Sequence, residues 1–261
     1  MKNERIYVDS PLTGSDIPPA KISLDELERL RLRAIEHRDE VPFFRALLDA
    51  NLYAHTPLSD DSGRLRLIQF PHPDTGQELL PVFTDAAQSH AAAQGLHKVL
   101  VMPGRDLFEL TLGATLIINP NRDAVTLYPE EIRELLETGV VAHIDVETLQ
   151  EPITMAFRQP VRAPDWMEEW LRQLFAQLPY IESAYLVEMF PPDAIEKGAL
   201  LIAVGVTPAN TERAGRAITT KLQPKCEGLQ VAVELMPFDP AGELPNWVGM
   251  LGVQPIYERA V

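Results

Sequence analysis

Hydrophobic positions along the chain follow helical spacing in some segments and strand spacing in others. The first helical segment starts near residue 23, where Ser23 and Glu26 have the spacing of a capping box, in which each side chain accepts a hydrogen bond from a free backbone amide. A second helix is predicted to follow, with Pro42 in its first turn. Its apolar stripe consists of Phe43, Phe44, Leu47 and Leu48.

Short apolar runs bounded by Pro, Gly and Asp come next, and such runs are typical of strands. Strands are predicted at 52–55, 65–70, 79–83, 99–102, 115–118 and 125–128. Helices are predicted at 84–94, 103–112 and 129–138, because a glycine follows each of them and can adopt the left-handed conformation that ends a helix. The first half of the chain is therefore predicted to be a mixed α/β domain.

A polar segment, 145–152, separates this pattern from a second one, and we expect a hinge there. The second pattern predicts a helix at 165–178, capped by Asp165 and Glu168, and another at 208–222. Strands are predicted at 153–157, 183–190, 199–206 and 229–236. The order β-α-β-β-α-β is typical of ferredoxin-like domains.

The sequence thus predicts an α+β protein in three parts. An N-terminal arm and helix occupy residues 1–38, a mixed α/β domain occupies 39–148, and a ferredoxin-like domain occupies 149–261.

Acidic residues outnumber basic ones in both halves, and this restricts the partners that the chain can bind. The sequence contains 38 Asp and Glu against 23 Lys and Arg, for a net charge of −15. Nucleic acids and anionic membranes bind clustered cations, and neither half has such a cluster. The first residues do not form a secretory signal, and the longest aliphatic run, 199–206, has only strand length. We therefore expect a soluble, cytoplasmic protein that binds neither nucleic acid nor membrane.

Residue types that carry catalysis are present, but not at the spacing that catalysis requires. The chain contains neither a glycine-rich nucleotide loop nor a Gly-x-Ser-x-Gly elbow. Its one cysteine, Cys226, follows Lys225, which would favour a thiolate, but no base is evident beside it. His143 and Asp145 share a strand face, although a solvent-exposed strand end explains them better than a metal site does. We expect no metal, no cofactor and no catalytic residue.

Several phrases of the sequence resemble the SseB family, which is named for enhanced serine sensitivity. The N-terminal ones are Phe44–Leu48, Leu80–Asp85, Val101–Phe108 and Ile117–Pro120. The C-terminal half, which ends in Gln254–Arg259, resembles the SseB C-terminal domain. The resemblance runs from about Asp39 onward.

This resemblance implies a non-enzymatic interaction or regulatory protein with a protein partner. No catalytic residues are established for the family, and related modules occur beside bacterial secretion machinery, which implies an adaptor role. The family name leaves two alternatives open: a module that senses amino acids, and an enzyme of amino-acid metabolism. Self-association is compatible with the pattern.

The predicted partner surface lies where strand 99–102 gives way to a helix. It consists of Arg105, Asp106 and Phe108, because helix-start amides favour anionic or carbonyl groups and arginine can donate paired hydrogen bonds. Gly104 would let a ligand backbone approach closely. The alternatives are that Gly104 shapes a turn, that Asp106 complements the helix dipole, and that Phe108 belongs to the core.

Overall fold

The computed structural model describes residues 20–37, 39–59, 64–73, 76–141 and 154–259. The chain divides into two compact units between residues 142 and 143. Each unit contains one sheet with helices packed against it, so the predicted α+β class is confirmed. The predicted hinge at 145–152 and most of the N-terminal arm lie outside the described residues.

The first unit has five helices among its described residues: α1 (Leu24–His37), α2 (Val41–Asp49), α3 (Ala86–Ala93), α4 (Gly104–Leu110) and α5 (Pro129–Thr138). Its strands are β1 (Asn51–Pro57), β2 (Phe70–Pro71), β3 (Glu78–Phe83), β4 (His97–Pro103), β5 (Thr115–Ile118) and β6 (Val125–Leu127).

The sheet order in the first unit is β4-β1-β3-β5-β6, and β2 pairs with β3. β1 runs antiparallel to both β3 and β4, whereas β3 and β5 are parallel. The start of β1 therefore lies at the same end of the sheet as the carboxyl ends of β3, β4 and β5.

Local signals position the helices of this unit. The amide of Glu26 donates to Ser23 Oγ at 3.2 Å, as the capping box predicted, but the Glu26 carboxylate accepts from Arg29. The Asp85 carboxylate accepts from the Ala87 amide at 2.6 Å and caps α3. Gly139 ends α5 with φ of +73°, a left-handed conformation that glycine adopts without strain.

The predicted strand at 65–70 is wrong for all but its last residue. β1 and β2 both pair with the same edge of β3. β1 pairs with Val82 and Phe83, and β2 pairs with Glu78 and Leu79. The segment before Phe70 therefore has no continuous strand to pair with. It is linked to β1 by the Ile68 amide, which donates to the His55 carbonyl at 2.9 Å.

Gly104 packs closely against the backbone of α2. A Cβ atom at this position would lie 1.8 Å from the carbonyl oxygen of Leu47. The Gly104 amide also donates to the carbonyl of Ala50 at 2.8 Å. The predicted close approach at Gly104 therefore involves the chain's own α2 and the residue after it, and the glycine joins α4 to them.

The second unit contains α6 (Met167–Gln177), α7 (Thr211–Cys226) and α8 (Asn246–Leu251), with short 3₁₀ turns at Ile195–Lys197 and Pro208–Asn210. Its strands are β7 (Ala156–Arg158), β8 (Ser183–Phe190), β9 (Ala199–Gly205), β10 (Ala232–Phe238) and β11 (Tyr257–Glu258).

The order of elements in this unit matches the prediction, but the pairing is not ferredoxin-like. The split pattern requires the first strand to lie beside the third. Here β9 is buried along its whole length between β8 and β10, so its two edges are already paired. β7 pairs instead with Glu188–Phe190 of β8, on the edge that β11 joins at Ser183 and Ala184.

The C-terminal segment is fastened to the second sheet by backbone and side-chain bonds. The Ile256 amide donates to the Ala184 carbonyl at 2.8 Å. The Arg259 guanidinium donates to the carbonyls of Ile181 and Leu178 at 2.9 and 2.7 Å.

The start of α6 differs from the prediction, because Trp166 occupies its cap position and no side chain there bonds to the helix amides.

The two faces of the second sheet bury different residues. Aliphatic side chains such as Leu186 and Ile202 pack beneath α6 and α7. The opposite face lies beneath α8 and combines aliphatic side chains with four aromatic ones. Its rings form a connected row with centroid separations of 5.5–6.3 Å: Phe238, Tyr185, Trp247 and Phe157.

We expect Gly104→Ala to destabilise the first unit by about 3 kcal/mol, because the added methyl collides with backbone that has little freedom to move. Gly215→Ala is the matched control, since a Cβ atom there meets nothing within 4 Å. Gly215 lies inside α7, so alanine should stabilise it by about 0.5–1 kcal/mol. Urea denaturation of both variants measures the difference, and equal stability would show that the Gly104 contact is not tight.

Candidate functional site

The structure separates the three residues of the predicted partner surface. Arg105 and Asp106 are exposed at the start of α4, whereas Phe108 is fully buried in the core beneath the helices. Phe108 therefore contributes packing rather than surface. The Gly104 amide is already bonded to Ala50, so it is not available to a ligand.

Arg105 and a second arginine, Arg45, each bond to a carbonyl at the carboxyl end of α5. Arg105 Nη1 donates to the carbonyl of Leu136 at 3.3 Å, and Arg45 Nε donates to the carbonyl of Gly139 at 3.1 Å. A helix ends in unpaired carbonyls that carry partial negative charge, which explains why both guanidinium groups are held there. Arg45 is exposed, like Arg105.

Neither of these arginines has a carboxylate partner among the described residues. Arg29, Arg33 and Arg172, by contrast, form ion pairs with acids on their own or adjacent segments. A guanidinium group has five N–H donors, so most donors of Arg45 and Arg105 face solvent. We name Arg45, Arg105 and Asp106 the α5-end surface.

Sequence reasoning did not find Arg45, because its contact with Gly139 joins positions far apart in the chain. The available signal was its place in the phrase Phe44–Leu48, where it is the only charged residue in an apolar run.

A cleft of about 370 Å³ opens at the sheet end where β1 begins and β3 finishes. Its volume is within the range of small-molecule pockets. The Oδ1 atom of Asn51 is buried and has no hydrogen-bond partner among the described residues. Most buried polar atoms in proteins have a hydrogen-bond partner, so this oxygen is an exception. Residues lining the cleft include Ile22, Leu24, Leu27, Asn51, Tyr53 and Thr84.

Two of the family-like phrases meet beside this cleft. The amide of Thr84 donates to Asn119 Oδ1 at 3.0 Å, and Asn119 Nδ2 donates to Thr84 Oγ1 at 3.0 Å. Both residues are buried, and Asn119 has φ of +51°. These polar residues therefore join the end of β3 to the turn after β5, and their role is structural.

His55 is the buried histidine of the first unit. Its Nε2 lies 2.9 Å from the Ser89 carbonyl oxygen and donates to it, and its ring packs against that of Phe83 in a tilted arrangement. Burial lowers the pKa of His55, the Ser89 carbonyl raises it less, and nearby His97 and His90 lower it further. Ser89 is fully buried, so this Ser–His contact joins α3 to β1 and is closed to substrate.

No group of three or more His, Cys, Asp or Glu within the described ranges is arranged to hold a metal ion. His143 and Asp145, considered above as a metal pair, lie outside those ranges.

Cys226 does not have the environment of a reactive thiol. It is half-buried against the apolar core beneath α7, and burial raises the pKa of its thiol. The ammonium group of Lys225 lies over the ring of Trp170, 5.7 Å from its centroid. The lysine that could favour a thiolate therefore makes a cation–π contact with the tryptophan.

The second unit encloses a charged cluster of one glutamate and two arginines. Glu188 Oε1 accepts from Arg158 Nη2 at 2.5 Å and from Arg162 Nε at 2.6 Å, and the Glu188 side chain is 0% exposed. Gly198 makes room for this arrangement, since a Cβ atom there would lie 2.6 Å from Arg162 Nη2. The cluster fastens β7 and the loop after it to β8.

Burial raises the pKa of Glu188, but hydrogen bonds from Arg158 and Arg162 outweigh that effect, so the pKa lies below its ordinary value of 4.5. The carboxylate is therefore charged at neutral pH and offsets part of the positive charge of the two arginines that it contacts. Acidic clusters elsewhere are also engaged: Glu168 and Glu169 pair with Arg172, and buried Glu131 accepts from the Tyr128 amide.

Family comparisons match both halves of the chain. The model of the SseB protein N-terminal domain matches residues 27–134, and that of the SseB protein C-terminal domain matches residues 150–259. The first match begins inside α1, before the phrases in which the sequence shows its resemblance. No curated protein and no solved structure gives a significant match. No helix in the described segments is both long and apolar enough to cross a membrane.

Glu188→Gln should lower stability at pH 7 by about 1–3 kcal/mol, less than for a fully buried pair because both arginines reach solvent. A depressed carboxyl pKa contributes stability that is fully present above the unfolded value and is lost as pH falls through the folded one. The wild type should therefore lose its advantage over the variant below about pH 4.5. Urea midpoints across pH measure this.

The exposed Glu212→Gln is the control for this pH series and should change stability by less than about 0.5 kcal/mol at pH 7. If Glu188→Gln keeps the same acid dependence as the wild type, Glu188 is not a charged partner of the two arginines.

Proposed function

The chain belongs to the SseB family, and from this premise we propose that it is a non-enzymatic interaction protein that binds an acidic segment of a protein partner. The observation that carries the proposal is that two exposed guanidinium groups, those of Arg45 and Arg105, are both held by carbonyls at the end of α5. Arginine donates paired hydrogen bonds to carboxylates, and such pairs fix the orientation of a partner.

The charge balance of the chain supports this assignment. With a net charge of −15, most of the surface repels an acidic partner and leaves few places for it to bind. Asp106 next to Arg105 adds an acceptor that would select partners with a donor beside their carboxylate. A partner contact of this kind sets specificity and association rate more than affinity.

That the chain has no catalytic activity is likewise a proposal, and the surroundings of its reactive side chains support it. Among the described residues, Ser89 and His55 bond to each other in the core, and the pKa of the Cys226 thiol is raised. The Glu188 carboxylate is buried against arginines. Each of these groups has a structural task that leaves it unavailable for chemistry.

A second candidate function, binding of a small molecule, is favoured by the cleft beside Thr84. Its volume of about 370 Å³ and its mixed lining, in which Asn51 and Thr84 lie beside Leu24 and Leu27, suit a small ligand with polar and apolar parts, such as a free amino acid. Binding there and binding of a protein at the α5-end surface are compatible, because they use different residues.

The double variant Arg45→Glu/Arg105→Glu should abolish capture of the partner while the protein stays folded. The matched control is Arg29→Glu/Arg33→Glu, which makes the same change of charge at exposed positions of α1. Affinity capture with quantitative mass spectrometry compares the wild type with both variants. Proteins that the wild type and the control retain, and the double variant loses, support the surface. Equal capture by all three excludes it.

For the cleft, a ligand should raise the melting temperature of the wild type, because binding to the folded state alone adds about 2.7 kcal/mol at a hundred times the dissociation constant. Leu24→Glu places a carboxylate in the cleft and should abolish the shift. Leu58→Glu is the control, since both leucines are 51% exposed and Leu58 does not line the cleft. A panel of free amino acids that leaves the wild type unshifted excludes amino-acid binding.

A further inference from the structure

β4 lies at the edge of the first unit's sheet and pairs with β1 over its whole length. No other strand in the described parts of the chain pairs with its second side. The bond from the Gly104 amide to the Ala50 carbonyl fixes the phase of this pairing, because hydrogen-bonded positions alternate along an antiparallel pair. Leu100 and Met102, at even offsets from Gly104, therefore bond to β1.

Val99 and Val101 stand between those positions, so their N–H and C=O groups point away from β1. A hydrogen bond on the side of β1 that faces away from β4 agrees with this alternation. His55 is opposite Val99 in the register, and its carbonyl accepts from the Ile68 amide rather than from β4. We call the backbone groups of Val99, Val101 and Pro103 that point away from β1 the outer edge of β4.

We propose that the outer edge of β4 pairs with β4 of a second copy of this chain, antiparallel about a twofold axis at Leu100. In this register Val99 of each copy lies opposite Val101 of the other. Both residues present outward N–H and C=O groups, so each pair exchanges two backbone hydrogen bonds. This inference is independent of the function proposed above, because it involves neither the α5-end surface nor the cleft.

In this register the side chains of β4 also complement those of β4 in the second copy. Val99 and Val101 are half-buried, and β-branched residues directly opposite each other stabilise a strand pair. The exposed Lys98 lies opposite Met102 of the second copy, and the two Lys98 residues are about 13 Å apart along the strands. No like charges therefore face each other. Pro103, which lacks an N–H group, falls at the outermost position of the pairing.

An edge strand of seven residues is normally protected from pairing by charge, proline or a bulge. β4 carries such features only towards its ends, at Lys98 and Pro103, and leaves Val99–Val101 unprotected. By contrast, β10, at the edge of the second unit's sheet, has the exposed Glu234 near its middle. This difference favours β4 as the strand that pairs with a second copy.

The test is sedimentation velocity on the full chain over a wide range of concentration, at about 0.15 M salt to screen the net charge beyond about 8 Å. The wild type should sediment as a dimer at the higher concentrations. Val99→Lys/Val101→Lys and Val99→Glu/Val101→Glu should each weaken dimerisation at least tenfold, because like charges then face each other. Mixing the two variants should restore a dimer, since each lysine then faces a glutamate.

Leu32→Lys/Ile35→Lys is the matched control, because it adds the same charge at exposed positions of α1 and should leave the dimer intact. If the lysine or glutamate pair prevents folding, as judged by circular dichroism, Val99→Pro replaces it. This change removes an outward amide without breaking a bond to β1 and should also weaken dimerisation. A wild type that stays monomeric, or folded edge variants that remain dimers, would overturn the proposal.

Discussion

The backbone contact between Gly104 and the segment Leu47–Ala50 is the constraint on which the first unit depends. It leaves no room for a side chain and sets where β4 ends and α4 begins. Because α4 starts at that point, Arg105 reaches the Leu136 carbonyl at the end of α5, the helix end to which Arg45 also bonds. The same bond sets the phase of β4 against β1. One close approach thus determines both the α5-end surface and the outer edge of β4.

In the second unit, ion pairs rather than a close backbone contact hold the first strand in place. Its first strand, β7, has only three residues, so few ladder bonds join it to β8. Arg158 and Arg162 strengthen its attachment to β8 by donating to buried Glu188 on that strand. Gly198 is needed for a similar reason to Gly104, because both glycines admit a group that a side chain would displace.

Local features of the fold could be read from the sequence, and non-local ones could not. The bounds of α5 were predicted to the residue, because proline at its start and glycine after its end act within the helix itself. The strand at 65–70 failed because two other strands share one edge of β3. The ferredoxin-like pairing failed for a related reason, since element order does not specify which strands become neighbours. Of the predicted surface, Arg105 and Asp106 are exposed while Phe108 is core; Arg45 required knowledge of where α5 ends in space.

The pairing of β11 with β8 has a consequence for how the protein is made. Among the residues that the structure describes, the strands of the first unit lie between 51 and 127, so this sheet can form while the remainder of the chain is still being translated. The second sheet cannot be completed until Tyr257 and Glu258 have left the ribosome and joined a strand synthesised some seventy residues earlier. Until then the edge of β8 at Ser183 and Ala184 is unpaired, and unpaired strand edges make a folding chain prone to aggregate.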